Sequence, residues 1–312
     1  MTASQLPAGA QEFLGELGAL RRLSPLSVAA YRRDLQRLCA LVDGTALPDL
    51  TPADIRRAAG RLHAQGLAPA SIARMLSAWR TFFRYLAARG SGRSNPVLGV
   101  RGPRRAQRLP KALTPDQAVA LASHQPGAGA LAVRDHAIVE LLYSSGLRLA
   151  ELVALDLRPF AAQGSRAASR GWIDLQEHEV TVTGKGSKRR SVPIGQAAAD
   201  ALGRWLAARA TLAAGDERAL FVSTRGTRLS PRSVQVRLRQ LAAHLGLGVA
   251  VHPHVLRHSM ASHLLQSSQD LRAVQELLGH TNISTTQVYT RLDWQHLAKA
   301  YDSHHPRARR SR

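Results

Sequence analysis

Apolar residues recur every three to four positions through the first ninety residues. Val28, Tyr31, Leu35, Leu38 and Val42 form one stripe, and Ile72, Met75, Leu76, Trp79, Phe82, Phe83 and Leu86 form another. That is the period of helices with one buried face. Ser24-Pro25 and Thr51-Pro52-Ala53-Asp54 are helix starts, a capping side chain followed by proline in the first turn, and Gly66 is a stop. The opposite faces carry Arg32, Arg33, Arg56, Arg57, Arg74, Arg80 and Arg84. The aromatic stripe reads as core rather than as a stacking surface for bases. Residues 1–90 are expected to form a compact, basic, all-helical domain.

The period then breaks. Arg89-Gly90-Ser91-Gly92-Arg93-Ser94-Asn95-Pro96 is turn-rich, and Arg101, Arg104, Arg105, Arg108 and Lys111 follow without helical spacing. Residues 91–112 read as an extended basic linker. Thr114-Pro115-Asp116 restarts the helical pattern, which is expected to run to about residue 160. Trp172–Leu175, Val180–Thr183 and Lys188–Ile194 read as three short strands. Helices return near Gln196, include one opened by Ser230-Pro231, and are expected to dominate to residue 300; residues 301–312 form a basic tail. The fold class is mainly α with a small antiparallel β-sheet, in two domains, 1–90 and 113–300.

Charge turns this outline toward a partner. Of 312 residues, 43 are Lys or Arg and 21 are Asp or Glu, a formal net charge of +22, and the hydrophobic share of 45% excludes a disordered chain. A basic excess spread along the whole chain points to a polyanion, with nucleic acid first. Cys39 is the only cysteine, so no intramolecular disulfide can form, which fits a reducing cytoplasm. No signal peptide is visible and no apolar run approaches the ~18 residues of a membrane span. Lysine occurs only at positions 111, 185, 188 and 299. Two of these fall in Gly184-Lys185-Gly186-Ser187-Lys188, which suggests a proton-transfer task that arginine cannot perform.

No P-loop, dinucleotide fingerprint or carboxylate cluster is present. His252, His254, His258 and His263 include an i, i+4 pair of the kind zinc sites use, but no Cys or carboxylate completes a set. No metal or other cofactor is expected. In His252-Pro253-His254-Val255-Leu256-Arg257, proline starts a helix and His254 and Arg257 share a face, a suitable pair for an oxyanion. Arg148 follows the Ser144-Ser145-Gly146 turn, His280 follows Leu278-Gly279, and Tyr289 lies nine residues beyond His280. Each element alone is equally a solvated surface residue or a helix end.

Together, in this order and spacing, they resemble the tyrosine recombinases, also called the phage integrase family. The pattern is Gly146-Leu147-Arg148 with Glu151-Leu152, a hairpin Lys185, His254-x-x-Arg257, Leu278-Gly279-His280 and Tyr289. The resemblance covers essentially the whole chain. It implies a SAM-like core-binding N-terminal domain, an α+β catalytic domain, and the catalytic set Arg148, Lys185, His254, Arg257, His280 and Tyr289, with Glu151 in support. The tail, Gln295 to Asp302 and His305 to Ala308, is most similar to the branch that resolves bacterial chromosome dimers. Two departures stand out. Ala150 occupies a position where the family often has Ser, and residues 158–171 are longer than the usual connection. The added residues have the composition of an inert surface loop.

The implied chemistry is metal- and ATP-independent cleavage and religation of DNA through a 3′-phosphotyrosyl link. Tyr289 is the nucleophile, His254 its base, and Arg148, Arg257 and His280 hold the phosphate. Lys185 protonates the leaving 5′-oxygen, with Lys188 its rival on the same turn. The two domains would clamp duplex DNA, with base readout from the helix after Ser230-Pro231 and from an N-terminal helix. The implied partners are a dif-like DNA site, XerD in a heterotetramer that exchanges C-terminal segments (Leu292 to Tyr301 here), and the translocase FtsK acting through XerD. A mobile-element integrase, a type IB topoisomerase-like enzyme and a catalytically silent DNA-binding protein are the alternatives.

Overall fold

The computed structural model describes residues 6–20, 23–42, 44–90, 94–103, 112–125, 127, 129–164, 167–184, 188–268, 274 and 277. The chain divides into two compact units, residues 1–108 and 109–312.

The first unit contains α1 (Ala8–Ala19), α2 (Pro25–Cys39), a 3-10 turn (Leu47–Asp49), α3 (Pro52–Ala64) and α4 (Pro69–Ala88). The starts follow from local chemistry. The Ser27 N–H donates to Ser24 Oγ at 3.2 Å, and Thr51 and Asp54 cap each other reciprocally. After α3 the chain turns at Gly66, φ +80°, where a side chain would be strained, and the Leu67 N–H closes back on the Leu62 carbonyl. The aromatic stripe of α4 is core. Trp79 is fully buried and its Nε1 donates to the Asp34 carbonyl at 2.8 Å. Phe13 meets Phe82 and Tyr31 edge-on at 5.4 and 5.8 Å. Arg32, Arg33, Arg56, Arg57 and Arg84 are exposed, and Arg74 pairs with the buried Asp34 carboxylate.

The second unit contains α5 (Pro115–Ser123), α6 (Ala130–Ser145), α7 (Leu149–Val153), β1 (Gly171–Asp174), β2 (Glu179–Thr183), β3 (Arg189–Pro193), α8 (Gln196–Arg209), α9 (Pro231–His244) and α10 (Pro253–Ser268). The strands form one antiparallel sheet in the order β1-β2-β3. α6 is buried around most of its circumference and forms the centre of this unit. Trp205 of α8 stacks on Phe221 and donates its Nε1 to the Leu220 carbonyl at 2.9 Å.

The expected helix to residue 160 ends at Val153. Leu155, Asp156 and Leu157 look helical by apolar spacing, but their backbones pair with Leu220, Gly171 and Arg218 in strand-like bridges. The expected helical run after Gln196 is likewise interrupted at 210–230, where Val222 bridges Arg228. β1 stops one residue short of Leu175 because Asp174 Oδ1 accepts the N–H groups of Gln176 and Glu177 and turns the chain. β3 starts one residue later than expected, at Arg189.

The long connection 158–171 is closed at its base. The Ser169 N–H donates to the Phe160 carbonyl at 3.0 Å, and the Phe160 N–H donates to Ser169 Oγ at 2.9 Å. Ser169 Oγ in turn donates to the buried Asp156 at 2.6 Å. Arg158 and Arg218 both lie over the Phe160 ring, 5.3 and 4.5 Å from its centroid. Its base is therefore fastened to the unit, whereas 161–164 are exposed.

Candidate active site

The site is built on the turn between α6 and α7. Gly146 ends α6 with φ +59°, a left-handed conformation that a side chain would strain, and Arg148 stands immediately before α7. Arg257 reaches this turn from the first turns of α10 and donates through Nη1 to the Gly146 carbonyl. Arg148 and Arg257 are thus held at one turn, by Glu151 and by the Gly146 carbonyl, although 109 positions separate them in the chain.

One carboxylate organises the cations. Glu151 Oε2 accepts the Arg148 backbone N–H at 2.8 Å, and Oε1 accepts Arg148 Nη1 at 3.0 Å. Arg190, on β3, forks onto the same carboxylate with Nη1 to Oε1 and Nη2 to Oε2, both at 2.9 Å. Burial alone would raise the Glu151 carboxyl, but the Arg190 fork and the Arg148 donors hold it below the usual range. Three guanidiniums therefore share one negative charge.

Arg257 shows the consequence. It is buried, and burial pushes its pKa down to about 10, with Arg148 and Arg190 pushing the same way and Glu151 opposing. It remains protonated at neutral pH. A phosphate arriving beside it would relieve this crowding of positive charge, so the cluster favours an anion. The Arg148 side chain is 44% exposed and gives solvent a route to the cluster.

His254 is exposed on the first turn of α10, three residues before Arg257. Its ring lies parallel to that of His252, with centroids 6.4 Å apart. His252 Nδ1 accepts the Val255 N–H at 3.3 Å, and burial together with His254 lowers its pKa. His263 is hydrogen-bonded to the Tyr143 hydroxyl and the Leu113 carbonyl. Among the described residues, no group of three or more His, Cys, Asp or Glu could hold a metal ion.

Lys185, His280 and Tyr289 lie outside the described residues, as does Tyr301. Lys188, the rival lysine, is described and exposed immediately before β3. The three described tyrosines are all packed. Tyr31 lies against Phe13, Tyr85 is buried, and Tyr143 is fully buried on α6. The motif gives Arg190 no role. The only signal available was strand alternation, which puts Arg190 and the buried Val192 on one face and Arg189 and Ser191 on the other. Of the arginines on α9, the helix opened by Ser230-Pro231, Arg232 and Arg239 are exposed, and Arg237 is paired with Asp135.

Comparison with known proteins agrees over both units. Residues 111–296 match the phage integrase family, and residues 10–90 match the N-terminal SAM-like domain of phage integrases. The chain is 53% identical over 308 residues to tyrosine recombinase XerC 1 of Ralstonia nicotianae, covering 96% of this chain and 93% of that protein. It is 46% identical over 301 residues to tyrosine recombinase XerC of Pseudomonas aeruginosa strain PAO1, covering 96% and 94%. Among solved structures it is similar to the XerH site-specific recombinase bound to a palindromic difH substrate, with TM-score 0.64 and 20% identity, covering 96% of this chain and 84% of that one. It is also similar to the Tn1549 transposon integrase in complex with transposon right end DNA, with TM-score 0.67 and 16% identity, covering 93% and 98%. At these identities the structural likeness is one of fold.

Proposed function

The chain belongs to the phage integrase family and is a tyrosine recombinase that cleaves and religates DNA site-specifically; from this premise we propose that it works at a dif-like site, in a heterotetramer with XerD, to resolve chromosome dimers at cell division. The identity to XerC proteins over 96% of the chain supports this assignment over a mobile-element integrase. FtsK, acting through XerD, completes the proposed assembly.

The proposed reaction follows from what a phosphodiester requires. Its charge repels a nucleophile, and in-line attack adds charge to the non-bridging oxygens. Arg148 and Arg257 donate to those oxygens, and His280 adds a third donor. Tyr289 Oη attacks phosphorus while His254 takes its proton. The bond from phosphorus to the 5′-oxygen breaks, and Lys185 delivers a proton to that oxygen. The product is a 3′-phosphotyrosine and a free 5′-hydroxyl. Attack by a 5′-hydroxyl from the partner duplex reverses the steps and rejoins the strands, so no nucleotide hydrolysis is needed. The packing of Tyr31, Tyr85 and Tyr143 supports assigning the attack to Tyr289.

The observation that carries this reading is the cluster around Gly146, where Arg148 and Arg257 converge with one carboxylate among three guanidiniums. The test is a nicked suicide substrate bearing the host's recombination site, incubated without divalent metal beside Tyr289→Phe. A covalent protein–DNA band from the unaltered protein that vanishes with Phe is expected. No band with XerD supplied, but a normal mobility shift, would leave a DNA-binding protein without catalysis.

A further inference from the structure

We infer that Arg190 is a positioning residue for strand cleavage, acting on Arg148 through the shared carboxylate of Glu151. The inference rests on the recombinase reading above and adds a member to its site.

Arg190 cannot meet the DNA phosphate as Arg148 does. Its side chain is only 10% exposed, and both terminal nitrogens are committed to Glu151 at 2.9 Å. Its position comes from sheet register. Arg190 pairs with Val182 across the hairpin, and that face of β3 turns toward the core beside Val192. The fork thus ties a strand to the first turn of α7, across 39 positions of chain. The carboxylate it grips also accepts the Arg148 backbone N–H and Nη1. Glu151 and Arg148 are only three residues apart, and an i, i+3 pair on a five-residue helix has many competing rotamers. The planar, two-point grip of Arg190 selects one carboxylate orientation, and with it one direction for the Arg148 guanidinium. Lysine in this place would keep the charge and lose the fork.

The experiment measures single-turnover formation of the covalent protein–DNA adduct at saturating suicide substrate. It compares the full-length unaltered protein, Arg190→Lys, Glu151→Gln and the double variant, each with DNA affinity and a thermal melt. Arg190→Lys is expected to slow cleavage on the order of 10²-fold, the scale of a small misplacement of a catalytic group, with DNA affinity unchanged. The double variant is expected to be no slower than Glu151→Gln alone, because Arg190 acts only through that carboxylate. Additive losses would overturn the inference, as would an affinity loss equal to the rate loss. Glu151→Gln keeps the test open if Arg190→Lys folds poorly, because epistasis can then be measured with Arg190→Met.

A second substrate replaces the bridging 5′-oxygen with sulfur, which departs as a thiolate without needing a proton. It should not rescue Arg190→Lys. Rescue would instead assign Arg190 to the lysine that protonates the leaving group, and would overturn a role through Arg148. If the unaltered protein forms no adduct, the recombinase reading fails and the inference falls with it. If the unaltered protein reacts and Arg190→Lys reacts equally fast, only the inference fails.

Discussion

The Tyr143 hydroxyl on α6 lies 2.9 Å from Nδ1 of His263 on α10. Nε2 of the same ring lies 3.0 Å from the Leu113 carbonyl, and the Leu113 N–H donates to Ser259 Oγ at 2.8 Å. A carbonyl can only accept, so Nε2 carries the proton and Nδ1 accepts from tyrosine. This link joins the helix that ends at the Gly146 turn to the helix that carries His254 and Arg257.

That tautomer makes acid pH destabilising. Burial pushes His263 below the ordinary histidine value of 6.5, against a smaller opposing effect of the Leu113 carbonyl, and His252 is lowered as well. The unfolded chain therefore takes up these protons before the folded one. Stability is full above about 6.5 and falls as pH drops below it, levelling off only under the folded values. Thermal melts across this range should show the fall, and His263→Asn should make it shallower. Tyr143→Phe should cost about 1–3 kcal/mol at neutral pH, as a hydroxyl partner is lost from a buried ring nitrogen.

Removing Glu151 leaves Arg148, Arg190 and Arg257 without their shared counter-charge. Glu151→Ala should destabilise the second unit by about 3 kcal/mol, the scale for breaking a buried ion pair by deleting one partner. Adding sulfate should recover part of the lost melting temperature, because an anion that binds only the folded state shifts the equilibrium by mass action. A melt unchanged by the substitution would mean the cluster is solvated.

Each unit has its own core, one around Trp79 and one around Trp205. Differential scanning calorimetry of Trp79→Ala should show the transition of the first unit lowered, with a cost of roughly 3–5 kcal/mol, and that of the second kept. Trp205→Ala should do the reverse. A single transition shifted equally by either variant would contradict independent cores.

Two glycines with positive φ should respond differently to alanine. At Gly226, φ +73°, an added Cβ would sit 2.5 Å from the Ala214 nitrogen and 2.6 Å from the Leu212 oxygen. At Gly246, φ +62°, it would meet nothing within 4 Å. Gly246→Ala should cost about 1 kcal/mol, the strain of the backbone conformation alone. Gly226→Ala should cost clearly more, because backbone must move as well; equal costs in denaturant titrations would refute this.

Local chemistry was the legible part of the sequence. The starts at Ser24, Thr51, Thr114 and Ser230 stand where cap and proline put them, because those signals act within one turn. Long-range pairing was harder to read. Leu155 and Leu157 keep helical spacing, yet their backbones pair with residues about sixty positions away, and spacing cannot see that. The motif readings drew Arg148, Glu151 and Arg257 to attention, and the fold brings these three together. Arg190 has no role in the motif, because its contact with Glu151 depends on sheet register and on a partner 39 positions distant.

The fastened neck of the 158–171 loop gives the protein engineer a usable port. Phe160 and Ser169 hold each other by two hydrogen bonds, and the ring of Phe160 is flanked by two arginines. Chain spliced between them inherits a closed base, so each doubling of loop length costs only about 0.6 kcal/mol of closure entropy. A fluorophore-accepting peptide or an affinity tag inserted after Gly164, past the Gln163 side chain that accepts from Arg218, would be carried without disturbing the neck.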